Sequence, residues 1–348
     1  MSGHAARQAL PRALVLLCAA SALSPAMLPA QSPDTAPRYA EPARLAANSL
    51  LIAIAAAGER LVAVGDRGII VFSNDRGRNW VQAARVPTQA LLTGVCFFDA
   101  RHGIAVGHDE VILATEDAGD TWTRTHYAPE AERPLLDVLC GPESRAIAIG
   151  AYSTYLRSED GGDSWSARKF MASPPPRGRS TRPPVSGAAA PGGGYHLNHI
   201  VAASASRLYI AAEAGHLYRS DDGGVIWQEL PSPYRGSFFG MLPLEGESVL
   251  AFGLRGNLYR SDDLGGNWQK IDTHTVVMLD GATRLGASGV AVVGLSGAVL
   301  LSRDGARTFA LVQQGDRSGL SAAVNLGDDE IAVVGEAGAK LISLKGAP

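Results

Sequence analysis

The octapeptide SDDGGVIW, Ser220 to Trp227, sets two carboxylates, Asp221 and Asp222, ahead of two glycines and an aromatic. Two chemistries use such a set. Paired carboxylates act as acid and nucleophile in glycoside hydrolysis, and closely spaced aspartates in a glycine-bent loop bind calcium. Either site would be built once. These letters instead recur as SNDRGRNW from Ser73, TEDAGDTW from Thr115, SEDGGDSW from Ser158, SDDLGGNW from Ser261 and SRDGARTF from Ser302. An EF-hand also needs flanking helices and further oxygen ligands, and the flanking segments here read as strands. Repetition points to architecture.

The invariant positions support that reading. The third is always Asp75, Asp117, Asp160, Asp222, Asp263 or Asp304, and the fifth is Gly in five copies. An Asp side chain accepts bonds from backbone N–H groups and Gly tolerates positive φ, so together they stabilise a tight turn. The eighth position holds Trp80, Trp122, Trp165, Trp227 and Trp268, all the tryptophans of the chain, and then Phe309. One repeat position for every Trp predicts a packing anchor beneath its own turn. In the last copy Gly305 stands one place early, which predicts a looser turn.

The elements that position these turns repeat as well. The copies start 42, 43, 62, 41 and 41 residues apart. Before each lies an apolar run, a short turn and a second run, as in LVAVGDRGIIVFS and VLAFGLRGNLYRS, which is a β-hairpin. With one strand before and one after, each repeat is a four-stranded unit of the propeller-blade type. The fold predicted is all-β: a seven-bladed propeller of antiparallel four-stranded blades, with six or eight blades as alternatives. The seventh hairpin, Ile331 to Ser343, lacks an outer strand. Tyr39–Leu45 aligns without a gap onto the segment from Trp80, so it is predicted to close the ring as that strand. The overlong step comes from 171–194, a Pro/Gly-rich inter-blade insertion that reads as a mobile loop and carries Arg177, Arg179 and Arg182.

The chain has 348 residues and ordinary hydrophobic content. Residues 1–30 carry Arg7 and Arg12, a short apolar run and small residues, a pattern that predicts a secretory signal peptide, cleaved after Ala30 or Ala26. A short linker, 31–38, then leads into one propeller domain, 39–346. The expected location is periplasmic or secreted, with no stable membrane insertion after cleavage. Without 1–30 the chain keeps 29 bases against 34 acids, a net charge of −5, which does not suggest nucleic-acid binding. Two cysteines remain, Cys96 and Cys140, at equivalent points of successive repeats. A disulfide and two buried thiols both stay open.

The motif S-x-D-x-G-x-x-W is the Asp-box, or bacterial neuraminidase repeat (BNR). With the blade length, the LYRSDDGG-type hairpins and PYRGSFFG at Pro233–Gly240, Tyr39 to Ser343 resembles the photosystem II stability/assembly factor family of β-propellers, as an exported bacterial member. The resemblance implies a non-catalytic, protein-binding assembly factor or scaffold. It also implies that a basic propeller face binds a reaction-centre subunit. An accessory subunit of an exporter or other envelope complex is a related reading.

Propeller topology puts the Asp-box turns on one face. The turns between second and third strands, and the links between blades, lie on the other. Twelve of the 34 acids sit in the six Asp-boxes, leaving the second face comparatively basic. Arg67, Arg235, Arg255 and Arg317, with Tyr234 and Phe238, are the candidate docking residues for a protein partner. The chain is expected to act as a monomer, without cofactor or metal. The rival reading is a sialidase-like glycosidase at the channel mouth, with Glu213 and Glu336 facing each other in equivalent turns and Tyr152 or Tyr155 nearby. No Phe/Tyr-Arg-Ile-Pro motif precedes them, and there is no nucleophile elbow, zinc spacing, phosphate loop or dinucleotide fingerprint. His196 and His199 lack a third ligand nearby and read as loop residues.

Overall fold

The computed structural model describes residues 36–175, 194–327 and 329–347; residues 1–30 and most of the insertion, including Arg177, Arg179 and Arg182, lie outside them. Among the described residues seven sheets, antiparallel but for one added strand, follow one another along the chain: blade 1 (51–82), blade 2 (92–126), blade 3 (135–167), blade 4 (197–229), blade 5 (238–271), blade 6 (279–313) and blade 7 (320–343). The all-β, seven-bladed propeller expected from the repeat is what the chain forms.

The burial pattern explains the strand sequences. Second strands such as Ala146–Gly150, Leu208–Ala212 and Val249–Gly253 are buried at every residue. They read as continuous apolar runs because both their faces are covered by neighbouring blades. First strands are only half-buried, and they line a central channel of about 370 Å³. Each first strand shifts register near its start, which leaves Ile52, Thr93, Leu136, Asn198, Phe239, Asp280 and Ser321 unpaired in the ladder. All seven line the channel. A bulge re-aims its extra side chain, so one repeated irregularity makes a ring of inward side chains. Thr93 Oγ1 donates to Leu135 O of blade 3 at 2.8 Å and Asn198 Nδ2 to Phe238 O of blade 5 at 2.8 Å. Those two ring members tie blade 2 to blade 3 and blade 4 to blade 5.

The repeated turns work as expected and do more. In blade 1, Ser73 Oγ donates to Asp75 Oδ1 (2.8 Å) and accepts from Gly77 N (2.8 Å), while Asn79 N and Nδ2 both donate to the Asp75 carboxylate (2.8 and 2.6 Å). The fourth and fifth positions take positive φ, as at Arg76 (62°) and Gly77 (84°). The tryptophans are not anchors of their own turns alone. Trp122 packs with Val62, Val64 and Phe72 of blade 1, and a Cβ on Gly119 would touch Val62. Each turn therefore wedges its glycine and aromatic against the preceding blade. The last copy is not looser. Ala306 takes the glycine's place at φ 63°, its N–H still reaches Ser302 Oγ (3.0 Å), and Asp304 keeps its backbone donors.

Two expectations are corrected. Among the described residues blade 7 has three strands, and Tyr39–Leu45 forms none. Pro37 and Pro42 have no N–H to give a ladder, and the donors present face blade 1: Ala40 N reaches Val86 O (2.9 Å) and Ala43 N reaches Gln82 Oε1 (2.8 Å). Closure falls to the turn Ala46–Asn48, where Ala46 is buried with Val334 of blade 7 and Leu51 of blade 1. The insertion, in turn, does not begin as a loop: Ala172–Ser173 pairs in parallel with Trp227 and Gln228 as a fifth strand on blade 4.

Candidate interaction face

The turns between second and third strands share one geometry. In blades 1 to 6 the central residue is left-handed: Arg67 (51°), Asp109 (61°), Tyr152 (53°), Ala214 (54°), Arg255 (58°) and Ser296 (56°). The next residue is Gly where a link passes close behind it. A Cβ on Gly215 or Gly256 would sit 2.1 Å from Tyr234 O or Thr275 O, so these turns lie directly on the inter-blade links. Arg67, Arg255 and their counterpart Tyr152 are exposed at the turn apex.

Charge is distributed unevenly on this face. Arg67 Nε pairs with Asp66 Oδ2 at 3.1 Å. In blade 2 the glycine position holds Glu110, buried, with Arg133 Nε at 2.9 Å and His126 Nε2 at 3.3 Å. Lys340 Nζ binds Asp316 at 2.6 Å. Arg235, Arg255 and Arg317 are exposed and make no ion pair among the described residues. They sit on three consecutive junctions: Arg235 beside Gly215 between blades 4 and 5, Arg255 beside the 5–6 link, and Arg317 against Gly297 between blades 6 and 7. Apolar side chains stand in the same arc, Val276 at 82% exposure and Leu295 at 37%. The structure thus gathers Arg235, Arg255 and Arg317 and leaves Arg67 neutralised on blade 1.

Phe238 is no surface residue. It is 0% exposed and packs edge-on against Tyr234 (5.9 Å) and Tyr259 (6.1 Å). Tyr234 is half-buried in the same cluster, a strut beneath Arg235. Val276 and Leu295 went unread in the sequence because a single apolar residue in a link or turn has no period to mark it.

The channel carries the other polar groups. Asp137 accepts from Val138 N (2.8 Å) and Ile200 N (2.9 Å), which joins blades 3 and 4, and burial pushes its carboxyl up. His199 lies on a strand, not in a loop, with Nε2 at 3.9 Å from Asp137. Burial raises Asp280 to about 7. Glu213 and Glu336 are each engaged locally: their Oε2 atoms accept from His196 N (3.2 Å) and Gly319 N (2.8 Å), the links into their own blades. Both carboxylates cap the links into their own blades. Among the described residues no group of three or more His, Cys, Asp or Glu has metal-holding geometry, and no helix is long and apolar enough to cross a membrane. Cys96 and Cys140 are joined in a disulfide, with Cα atoms 5.6 Å apart.

Fold and repeat define the class, a seven-bladed β-propeller with BNR-like repeats. Within it, residues 81–167 match the family model described as Photosynthesis system II assembly factor YCF48. The resemblance read from the sequence holds: the chain is similar to that family. Among solved structures, YCF48 from Cyanidioschyzon merolae is 16% identical with a TM-score of 0.67, covering 90% of this chain and 100% of that one. YCF48 bound to D1 peptide is 16% identical with a TM-score of 0.66, covering 85% and 93%. The GH74 enzyme of Niastella koreensis shares the fold at 13% identity and a TM-score of 0.65, covering 86% of this chain and 53% of that one. No curated protein matches the chain.

Proposed function

We propose that the chain is a non-catalytic, protein-binding assembly factor or scaffold that works through the arc of Arg235, Arg255 and Arg317. The observation that carries this is the set of three exposed guanidinium groups on consecutive junctions, without an ion pair among the described residues and interleaved with exposed Val276 and Leu295. Arginine and apolar anchors together are the residue types that dominate protein interfaces. Guanidinium groups take carboxylates bidentately, so the ligand class is an acidic, extended protein segment. That a YCF48 of the same fold binds a D1 peptide supports a peptide-like ligand.

We further propose an exported protein, with 1–30 as its signal and the propeller over 39–346, acting as a monomer on a subunit of a membrane or envelope complex; a photosystem or an exporter both fit this chemistry. The test is cross-linking and co-purification of the tagged chain from native envelope membranes. Arg235→Glu with Arg255→Glu is expected to cut partner recovery about tenfold, the scale of two lost interface anchors. Unchanged recovery would sink the arc as the docking surface. Turnover of a fluorogenic glycoside would overturn the non-catalytic reading.

A further inference from the structure

The copy SDDGGVIW breaks the repeat at two positions. The seventh residue of every other copy caps the Asp carboxylate: Asn79, Thr121, Ser164 and Asn267 donate to its Oδ2 at 2.6 Å, and Thr308 at 2.7 Å. In blade 4 this residue is Ile226, whose side chain has no donor, and Asp222 keeps only Ser220 Oγ and the backbone N–H groups of Val225 and Ile226. The sixth residue, charged or Gly elsewhere, is Val225. Val225 is 65% exposed and Ile226 66%. A hydrogen bond has been given up for exposed apolar surface.

These side chains stand at a groove of about 670 Å³ on the outer rim between blades 3 and 4. Its floor is aromatic and fixed. Tyr155 donates to Gly224 O across the junction at 2.7 Å, and Phe170 lies 5.7 Å from Tyr155 and 5.8 Å from Trp227. Met171, 66% exposed, continues the apolar surface. The charged rim is Arg157, Arg168 and Lys169 against Glu159 alone. Arg157 already pairs with Glu159 at 3.2 Å, whereas Arg168 and Lys169 make no ion pair among the described residues.

We propose that this groove is a second docking site, separate from the arginine arc, that takes an extended protein segment with apolar side chains flanked by carboxylates. Its concavity suits side chains better than a flat bilayer surface. The two free cations select acidic flanks, and Val225, Ile226 and Met171 supply the apolar contact. The short strand Ala172–Ser173 forms the edge of the blade beside it, a place where an extended chain can pair.

The experiment measures binding of labelled decapeptides to the full chain by fluorescence polarisation, with alternating Leu/Glu, Leu/Lys and Ser/Glu sequences. The Leu/Glu peptide is expected to bind at least about tenfold more tightly than the other two. Val225→Arg with Ile226→Asn rewrites the copy as Arg78-Asn79 of blade 1 and restores the cap, so it folds at least as well by thermal melt. It is expected to weaken Leu/Glu binding about tenfold or more. Arg168→Glu with Lys169→Glu should do the same; all groove variants are compared in an Arg235→Glu, Arg255→Glu background, where the arginine arc adds nothing to the peptide signal. Equal affinity for Leu/Lys, or full affinity in the Val225/Ile226 variant, would overturn the proposal. So would three rival occupants: flotation with anionic phosphatidylglycerol vesicles in place of peptide binding, self-association abolished by the variant, or peptide binding only after deletion of 176–193.

Discussion

At the scale of single residues, the repeated aspartate is a receptor for backbone N–H groups rather than a chemical group. Its bonds hold the ionised form. Asp75 is lowered from 3.8 to about 2, chiefly by the Asn79 backbone N–H and then its side chain, and Asp160 to about 2 by the Ser164 hydroxyl and then its backbone N–H. A folded-state pKa below the unfolded one gives stability that is complete above the unfolded value and lost as pH falls through the folded one. Thermal midpoints should therefore drop steeply between about pH 4 and about pH 2. Asp75→Asn with Asp160→Asn should lower the midpoint at pH 6 and flatten that acid limb. An acid limb as steep in the variant as in the parent would assign the loss to other groups.

At the scale of elements, the bulge in the first strand joins neighbouring blades wherever it holds a donor. Thr93 and Asn198 occupy it and donate to the following blade's backbone carbonyl. Asp280 occupies it in blade 6, beside the three-stranded blade 7. A carboxylate cannot donate, and burial raises this carboxyl from 3.8 to about 7. The sign is opposite to that of the turn aspartates. Stability from neutral Asp280 is complete below the unfolded value near 4 and is lost as pH rises through about 7. Asp280→Asn supplies a permanent donor of the same shape. It is expected to stabilise the protein at pH 8 by on the order of 2 kcal/mol and to leave it nearly unchanged at pH 4. A variant no more stable than the parent at pH 8 would mean that channel water already solvates the carboxylate.

At the scale of the whole molecule, the period of turns and tryptophans made the seven-bladed ring readable before any coordinates. Period is a local signal repeated, and blade number follows from counting it. The ring's closure was not readable. Tyr39–Leu45 aligns on a strand-forming segment, yet Pro42 and the acceptors on Gln82 and Val86 decide where its donors go. Nor was the burial of Phe238, because FF in PYRGSFFG looks the same whether the first or second ring turns inward. Arg235, Arg255 and Arg317 were legible as exposed loop charges, but their freedom from ion pairs depends on partners distant in sequence. The two cysteines stood open between bridge and thiols for the same reason: the angle between adjacent blades sets their distance. The bridge ties the first strands of blades 2 and 3 across 44 residues, in a ring whose last blade closes without a fourth strand. Constraining a loop of that length in the unfolded chain is worth about 4 kcal/mol, roughly 6 °C for a domain of this size. Cys96→Ser with Cys140→Ser is expected to melt lower than the oxidised parent by that amount and to match the parent after reduction. If reductant leaves the parent's midpoint unmoved, the cysteines are not bridged in solution and the junction of blades 2 and 3 stands on packing alone.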